Sequence, residues 1–377
     1  MSNVTPTSIS DPTIPARPHR NIGDLAQLVS ELSDEQRARV DRLFQIVTST
    51  GLLEAPRSMH SWIEGLFGSV AAVEAQRIIR TTNLRTFEGT LFNELRASRP
   101  VETELPGDLS AIVTSGTGDP FCRPLEGTPS DVFGRVQGSH SITASNIAKY
   151  DALHGVIVFD EHNPLALSLE RIVDTFDVGF RWAEKAVKYD PLACYFFLMW
   201  NCMWKSGASI LHGHAQMTCT RDRHYARVEQ LRAAAEQYRN QYGLNYFQDL
   251  IEAHRSLGLT IQRGPATVVA SLTPIKEKEI WIVADEHSAH LDRVIFDALA
   301  CFTRRLGVVS FNLVAYMPPL RPVPESWDGF PFIIRIVDRG PLANKTADFG
   351  AMELYASSVV SSDPYRIIDA LDLHLSD

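Results

Sequence analysis

The sequence predicts an α+β fold built from two fused lobes, each an antiparallel sheet with packed helices. The chain has 377 residues, which leaves room for two halves of one architecture. Its hydrophobic content of 45% and charged content of 21% are typical of a globular protein with a full-sized core. The order strand, helix, strand occurs twice, and both copies contain a strand ending in Asp-Glu-His, at residues 160–162 and 285–287. This shared ending favours an internal duplication.

Four segments are predicted along the chain. A Ser-, Thr- and Pro-rich start lacks the apolar stretch of a signal peptide, so we interpret it as a disordered or partner-embracing arm. The next segment is interpreted as helical, because residues 35–44 have helical apolar spacing and Ser33 and Asp34 can cap that helix. The predicted ranges are 1–20 for the arm, 21–110 for the helical region, 111–260 for the first lobe and 261–377 for the second, degenerate lobe.

Short apolar runs rich in β-branched and aromatic residues predict the strands of the two lobes, and amphipathic spacing predicts the helices between them. A Pro- and Gly-rich stretch over residues 100–138 predicts a loop or lid. The predicted strands cover residues 155–159, 195–200, 212–216, 266–272, 279–284, 311–316 and 332–337, and the predicted helices cover residues 165–188, 222–254 and 291–306.

Charge, hydropathy and cysteine usage exclude several kinds of partner. The formal net charge of −9 argues against nucleic-acid binding, which depends on broad phosphate neutralisation. No apolar run approaches the ~20 residues that span a bilayer, so no membrane partner is expected. Five cysteines, without a Cys-x-x-Cys pair, argue against a disulfide framework and a cysteine-rich zinc site. We therefore expect a cytoplasmic protein.

The central motif is His212-Gly213-His214-Ala215-Gln216. Alternate side chains of a strand share one face, which places His212, His214 and Gln216 together. A neutral imidazole is a good nucleophile at phosphorus, so His214 is the candidate for a covalent phosphoramidate intermediate. The amide of Gln216 can hold a phosphate oxygen but cannot titrate, which favours transfer over hydrolysis. The alternative interpretation is a set of hydrogen-bonded core histidines or a metal pair.

Small residues upstream of the motif predict a phosphate-binding loop. Asn201 is followed by Lys205-Ser206-Gly207-Ala208-Ser209, where backbone amides can approach a phosphate closely and hydroxyls add donors. Lys205 can offset phosphate charge, and a solvated lysine is an equally good interpretation of that residue.

Together these residues resemble the transferase branch of the histidine triad superfamily, which includes galactose-1-phosphate uridylyltransferase and the dinucleoside tetraphosphate phosphorylases. The hydrolase branch has a third histidine where this chain has Gln216. The resemblance implies that His214 is the nucleophile, that Gln216 holds the phosphate of the intermediate, and that His212 is a structural neighbour. It also implies substrate contacts for five further residues: Asn146, Asn201, Gly207, Ser209 and Glu353.

Metal ligands that are common in the uridylyltransferases are missing here. Those enzymes often bind a structural zinc through a Cys-x-x-Cys pair and two histidines. In this chain three residues stand in plausible places: Cys122, His162 and His212. The second-lobe histidine pair is replaced by side chains that cannot ligate a transition metal: Phe330, Phe332 and Ile334. We therefore expect no metal and no cofactor.

The sequence predicts a nucleotidyltransferase with a ping-pong reaction through His214. Its donor is a dinucleoside polyphosphate, a nucleotide sugar or adenylyl sulfate, and its acceptor is phosphate or a sugar phosphate. Because the zinc cysteines are missing and Ile147 replaces the acidic residue beside uridine, a phosphorylase or adenylyltransferase is favoured over a hexose-1-phosphate uridylyltransferase. A dinucleotide hydrolase and an inactive nucleotide-binding module are the remaining alternatives.

The resemblance also implies a homodimer, since these transferases complete each site with segments of a partner subunit.

Overall fold

The computed structural model describes residues 20–98, 113, 118–344 and 349–376, and these residues have the predicted α+β fold. The arm predicted over residues 1–20 lies outside this part of the chain, apart from Arg20. No helix in the described ranges is long and apolar enough to cross a membrane. The helices are α1 (Leu25–Ser30), α2 (Asp34–Leu43), α3 (His60–Phe67), α4 (Val70–Glu74), α5 (Pro124–Gly127), α6 (Leu169–Tyr189), α7 (Ala226–Tyr242), α8 (Tyr246–Ser256), α9 (Ala289–Arg304), α10 (Ala351–Tyr355) and α11 (Pro364–Ser376).

One nine-stranded antiparallel sheet runs through both lobes. Its strands are, in spatial order, β4 (Ser141–Ser145), β5 (Leu153–Phe159), β7 (His214–Thr220), β6 (Tyr195–Cys202), β11 (Phe311–Tyr316), β12 (Phe332–Asp338), β10 (Ile280–Ala284), β9 (Ala266–Ala270) and β8 (Thr260–Arg263). The lobes join where β6 pairs with β11. From that pair outward the two halves have the same strand order, with β8 as an added edge strand, which supports the predicted duplication.

Helices α6 and α9 cover one face of this sheet. Trp182 of α6 is fully buried against Gly155 of β5, where a Cβ atom would lie 2.8 Å from the indole ring and 2.9 Å from Met217 of β7. Met217 and Ala215 therefore face the helices. His214 and Gln216 alternate with them and point to the opposite side of the sheet, which we call the open face.

The N-terminal region is not wholly helical, which corrects the prediction for residues 21–110. Helix α2 is present as predicted, with Ser33 and Gln36 forming a capping box. The strands β1 (Phe44–Leu52), β2 (Ala75–Asn83) and β3 (Gly89–Phe92) follow it and form a second sheet with β13 (Ser358–Val360). Runs of β-branched residues in β1 and β2 favour this pairing over helix.

This second sheet packs on the second lobe. The hydroxyl of Thr81 on β2 donates to the carbonyl of Leu272, and the hydroxyl of Thr90 on β3 donates to the carbonyl of Pro274 at 2.8 Å. Both threonines are fully buried. The N-terminal region therefore covers the second lobe and leaves the first-lobe motif uncovered by this sheet, while the exact domain limits remain a prediction.

We expect acid to destabilise the fold through buried neutral histidines such as His254. Its Nδ1–H donates to the carbonyl of Leu250, and its Nε2 accepts the N–H of Leu272 at 3.1 Å. A second proton, on Nε2, would therefore point at an N–H group instead of an acceptor. Burial lowers the pKa of His254 to about 4. Because the folded pKa lies below the unfolded value near 6.5, stability is lost as the pH falls from about 6.5 to about 4, by roughly 3 kcal/mol. Urea unfolding at pH 7 and pH 5 should show roughly 2 kcal/mol of this loss, because pH 5 lies between the two pKa values. A His254→Gln variant with the same acid slope would contradict the assignment.

Candidate active site

The open face of the first lobe brings the three motif residues together. His214 and Gln216 lie on β7, and His212 stands just before it; all three are buried. Val158 and Val156 of β5 pair with His214 and Gln216, and Met199 of β6 pairs with Gln216 on the other side.

The two ring nitrogens of His214 have different roles. Nδ1 lies 2.7 Å from the carbonyl oxygen of His212, and a carbonyl only accepts, so Nδ1 carries the proton. Nε2 therefore carries the lone pair that a nucleophile needs. Burial lowers the pKa of His214, which keeps the imidazole neutral at pH 7. Phe121 packs edge-on against this ring, with 5.1 Å between the centroids.

A hydrogen-bond relay fixes the orientation of Gln216. The backbone N–H of Tyr150 donates to His154 Nδ1 at 2.9 Å, so the proton of this buried imidazole is on Nε2. That proton is donated to Gln216 Oε1 at 2.9 Å. The Nδ2 of Asn146 also lies 3.3 Å from Gln216 Oε1. With its oxygen occupied by donors, Gln216 presents its N–H groups to the rest of the site, as a phosphate-binding amide requires.

The predicted phosphate loop follows β6. Asn201 lies on β6 two residues beyond Met199, and Gly207 has a positive φ of 99° that favours glycine. Ser209 is exposed at the surface of this loop. The ammonium of Lys205 donates to the carbonyl of Asn344 at 2.9 Å, so the lysine is anchored to the second lobe rather than fully solvated.

Glu353 is not placed with these residues. Its carboxylate accepts the backbone N–H of Gly350 at 2.9 Å and caps the short helix α10. It lines a cavity of about 540 Å³ beside Asp338 and Arg339 of the second lobe. Its substrate contact, which the resemblance implies, stays a prediction.

Four side chains with metal-binding atoms converge beside the motif. Asp119, Cys122, His162 and His212 each direct one such atom into a cluster in which all members lie within 4.8 Å of one another. The sequence predicts no metal because it offers three candidate ligands; the structure adds Asp119, from the same turn as Cys122, as a fourth. Carboxylate, thiolate and imidazole are all ligands of four-coordinate zinc.

Hydrogen bonds orient the lone pairs of both histidines into this cluster. His212 Nε2–H donates to the carbonyl of Phe159 at 2.8 Å, and His162 Nε2–H donates to the carbonyl of Val113 at 2.9 Å. Their Nδ1 atoms lie 3.1 Å apart, and two lone pairs at this distance repel without a cation or proton between them. Asp119 Oδ2 is buried without a hydrogen-bond partner among the described residues. The cluster therefore fits zinc, which would fix the Asp119–Cys122 turn, and with it Phe121, beside His214.

We expect the purified protein to contain about one zinc per chain. Elemental analysis checks the stoichiometry, and thermal unfolding in a strong chelator should show a melting temperature lower by several degrees, because the metal ties together segments distant in sequence. Cys122→Ser should lose the metal, whereas Cys194→Ser, which removes a buried thiol outside the cluster, should keep it. Metal-free protein whose melting temperature does not respond to the chelator would contradict this assignment.

Solved structures with the same fold are known. An ADP-glucose phosphorylase from Arabidopsis thaliana with bound ADP-glucose superposes with a TM-score of 0.57 at 18% identity, over 77% of this chain and 97% of that chain. A uridylyltransferase gives a TM-score of 0.54 at 16% identity, over 79% and 98% of the two chains. The chain has the uridylyltransferase fold. A GalT-like protein from Arabidopsis thaliana gives a TM-score of 0.53 at 17% identity, over 68% of this chain and 91% of that chain. No protein-family model and no curated protein matches the chain.

Within the uridylyltransferase fold, the second lobe of this chain has an ion pair where the first lobe has the relay to Gln216. When β5 and β10 are aligned on the Asp-Glu-His sequences that follow them, Glu279 corresponds to His154. In the same alignment the strand pairing makes Arg335 of β12 correspond to Gln216 of β7. Arg335 Nε donates to Glu279 at 2.6 Å, and Nη1 donates to Glu88 of the N-terminal sheet at 3.0 Å. Protein side chains therefore occupy the position in the second lobe that corresponds to Gln216 and His154.

The same register shows which side chains of β12 lie on the open face. They are Ile333 and Arg335, at the positions of His214 and Gln216, whereas Phe332 and Ile334, named from the sequence as replacing the second-lobe histidine pair, alternate with them. Phe332 packs against Phe176 on the helix side of the sheet. Neither open-face residue is a transition-metal ligand, so the conclusion for that position is unchanged.

Three residues of the site were not predicted as site residues from the sequence: Asp119, Phe121 and His154. The first two belong to the run Asp119-Pro120-Phe121-Cys122, which we interpret as loop. The Asp-Pro pair is a turn signal, and the Asp119 carboxylate caps the turn by accepting the N–H of Phe121 at 2.7 Å. The position of Cys122 three residues after this turn-forming aspartate is the sequence signal that the two residues can be ligands of one metal ion.

Proposed function

We propose that this chain transfers a nucleoside monophosphate from an activated nucleotide to phosphate or a sugar phosphate, through a covalent intermediate on His214. The observation that carries the proposal is the pairing of a neutral imidazole, whose Nε2 has a lone pair, with a carboxamide whose oxygen is already bonded by His154. This combination supplies a nucleophile and a fixed donor for the charge that develops on the phosphate.

The first half-reaction joins His214 Nε2 to the α-phosphorus and breaks the bond from that phosphorus to the leaving-group oxygen. The imidazole becomes cationic, and the Nδ1–H bond to the His212 carbonyl grows stronger and stabilises it. In the second half-reaction an acceptor oxygen attacks phosphorus, the N–P bond breaks, and the neutral imidazole returns. The N–H groups of Gln216 hold a non-bridging oxygen in both steps.

A nucleotide sugar is the donor class to test first. The likeness to a phosphorylase structure containing bound ADP-glucose supports it, and the missing acidic residue at Ile147 argues against a strict requirement for uracil. Inorganic phosphate is the corresponding acceptor. A hexose-1-phosphate uridylyltransferase remains the second candidate, because a uridylyltransferase structure superposes equally well on most of the chain.

Isotope exchange tests the proposal. ADP-glucose, UDP-glucose, a dinucleoside tetraphosphate and adenylyl sulfate are each incubated with the labelled leaving group and no acceptor. A ping-pong transferase returns label to the donor in this half-reaction alone, because the intermediate forms reversibly. Exchange with one donor, followed by phosphate-dependent release of the nucleotide product, is the expected result. Turnover that requires both substrates before any exchange would overturn the covalent route, and water as the only acceptor would indicate a hydrolase.

We also propose that the protein is a cytoplasmic homodimer. Support comes from the resemblance, in which a partner subunit completes each site, and from five cysteines that are all free. Sedimentation at micromolar concentration should therefore show a mass of two chains. A fully active monomer would contradict this part of the proposal.

A further inference from the structure

The second lobe contacts the phosphate loop of the first lobe along a partly buried seam. At this seam β6 pairs with β11, and Asn201 stands directly opposite Asn312 in the register. Asn201 is the residue that the resemblance implies as a phosphate contact. Asn312 belongs to the lobe that has no nucleophile, and its side chain bonds Asn201 and Ser206 of the first lobe.

The polarity of the Asn312 carboxamide is fixed from two sides. The guanidinium of Arg339, which can only donate, bonds to Asn312 Oδ1. On the other side Asn312 Nδ2 donates to the carbonyl of Ser206 at 3.0 Å, and a carbonyl can only accept. Neither contact tolerates a flipped amide, so the nitrogen of Asn312 faces the first lobe.

This polarity is passed on to Asn201. Asn312 Nδ2 lies 2.7 Å from Asn201 Oδ1, so the oxygen of Asn201 is held toward the seam. The two N–H groups of Asn201 then project from the other side of its carboxamide. This is the arrangement of Gln216, whose oxygen is held by His154. Asn312, which bonds the oxygen of Asn201, is itself oriented by the guanidinium of Arg339, which can only donate. In the same way His154, which bonds the oxygen of Gln216, is oriented by the backbone N–H of Tyr150.

We propose that Asn312, held by Arg339, is a positioning residue that makes Asn201 a hydrogen-bond donor to the transferred phosphate. The second lobe would thereby contribute to catalysis without touching the substrate. The proposal rests on the proposed function, because Asn201 needs a phosphate to bind. Without the bond from Asn312, the side-chain amide of Asn201 can rotate and turn its oxygen toward the phosphate. The amide oxygen and the phosphate oxygen then repel each other.

The test compares Asn312→Ala and Asn312→Asp with wild type. Asp keeps an acceptor for Arg339 but removes the N–H, and Ala removes the side chain without adding charge. We expect both variants to bind a nucleoside monophosphate, probed with AMP and UMP, about tenfold more weakly. Affinity for adenosine and uridine, which lack phosphate, should be unchanged. Asn240→Asp, the same exchange at an exposed residue of α7, is the matched control.

A double-mutant cycle distinguishes positioning from a structural role. In an Asn201→Ala background, Asn312→Ala should cause no further loss of phosphate-dependent affinity or of the rate of His214 adduct formation. The proposal would be overturned by a further loss of similar size in the Asn201→Ala background. It would also be overturned if an Asn312 variant lost the same affinity for AMP and for adenosine, or if Asn312→Asp lost affinity for AMP and Asn312→Ala did not. Wild-type protein that forms no adduct would instead mean that the proposed function has failed, so the two failures are distinguishable.

Discussion

Replacing His214 by alanine should abolish nucleotidyl transfer, with a loss of at least about 10⁴-fold in kcat. In the proposed mechanism the imidazole forms and breaks the bond to phosphorus, and Gln216 cannot replace it because an amide nitrogen is not nucleophilic. The cost is expected in turnover more than in binding, since the same mechanism leaves the amides of Gln216 and Asn201 to hold the phosphate. Steady-state kinetics with the donor selected by isotope exchange measures the loss.

The matched control for this substitution is His140→Ala. His140 pairs with Asp160 at the protein surface and belongs to neither the motif nor the metal cluster. It should keep wild-type activity, and both variants should keep a cooperative unfolding transition. Activity of His214→Ala within tenfold of wild type would exclude His214 as the nucleophile.

Replacing Gln216 by alanine should slow both half-reactions by about 10² to 10³-fold, or roughly 2–4 kcal/mol of transition-state stabilisation. The structure gives the reason. His154 and Asn146 hold the carboxamide oxygen, so the N–H groups are preorganised for a phosphate oxygen and need no reorientation during the reaction. An effect confined to KM would indicate that the amide binds ground state and transition state equally.

Replacing Gln216 by histidine should raise the ratio of hydrolysis to transfer, even if the total rate falls. An imidazole at this position can donate a proton to a leaving group or accept one from water, which the amide cannot. The measurement is the partition of product between free nucleoside monophosphate and the transferred nucleotide, at fixed acceptor concentration. An unchanged ratio would mean that the shape of the pocket, rather than the residue at 216, excludes water.

Sequence patterns were sufficient for the features that depend on local chemistry. Strand alternation placed His214 and Gln216 on one face, and the repeated Asp-Glu-His ending indicated the duplication that appears as a repeated strand order. Helix α2 was predicted with its cap for the same reason, because capping needs residues only three positions apart. These features involve short sequence separations, where propensity and periodicity are informative.

Features set by long-range contact could not be predicted in this way. Asp119 reaches His212 across more than ninety residues, and Asn312 reaches Asn201 across a sequence separation of 111. The register of β12, which puts Arg335 at the position of Gln216, depends on pairing with β10. The prediction of a helical region over residues 21–110 does not include strands β1 and β2, because it extends the helical spacing of α2 beyond the end of that helix at Leu43.

Locating the covalent intermediate tests the central claim most directly. The protein is mixed with the donor selected by exchange and no acceptor, denatured in alkali to preserve an acid-labile phosphoramidate, digested and analysed by mass spectrometry. We predict one nucleotidyl group on the peptide containing His214, and its removal by phosphate at the rate of steady-state turnover. A nucleotidyl group on another residue such as Lys205, or full turnover without any modified peptide, would contradict the account.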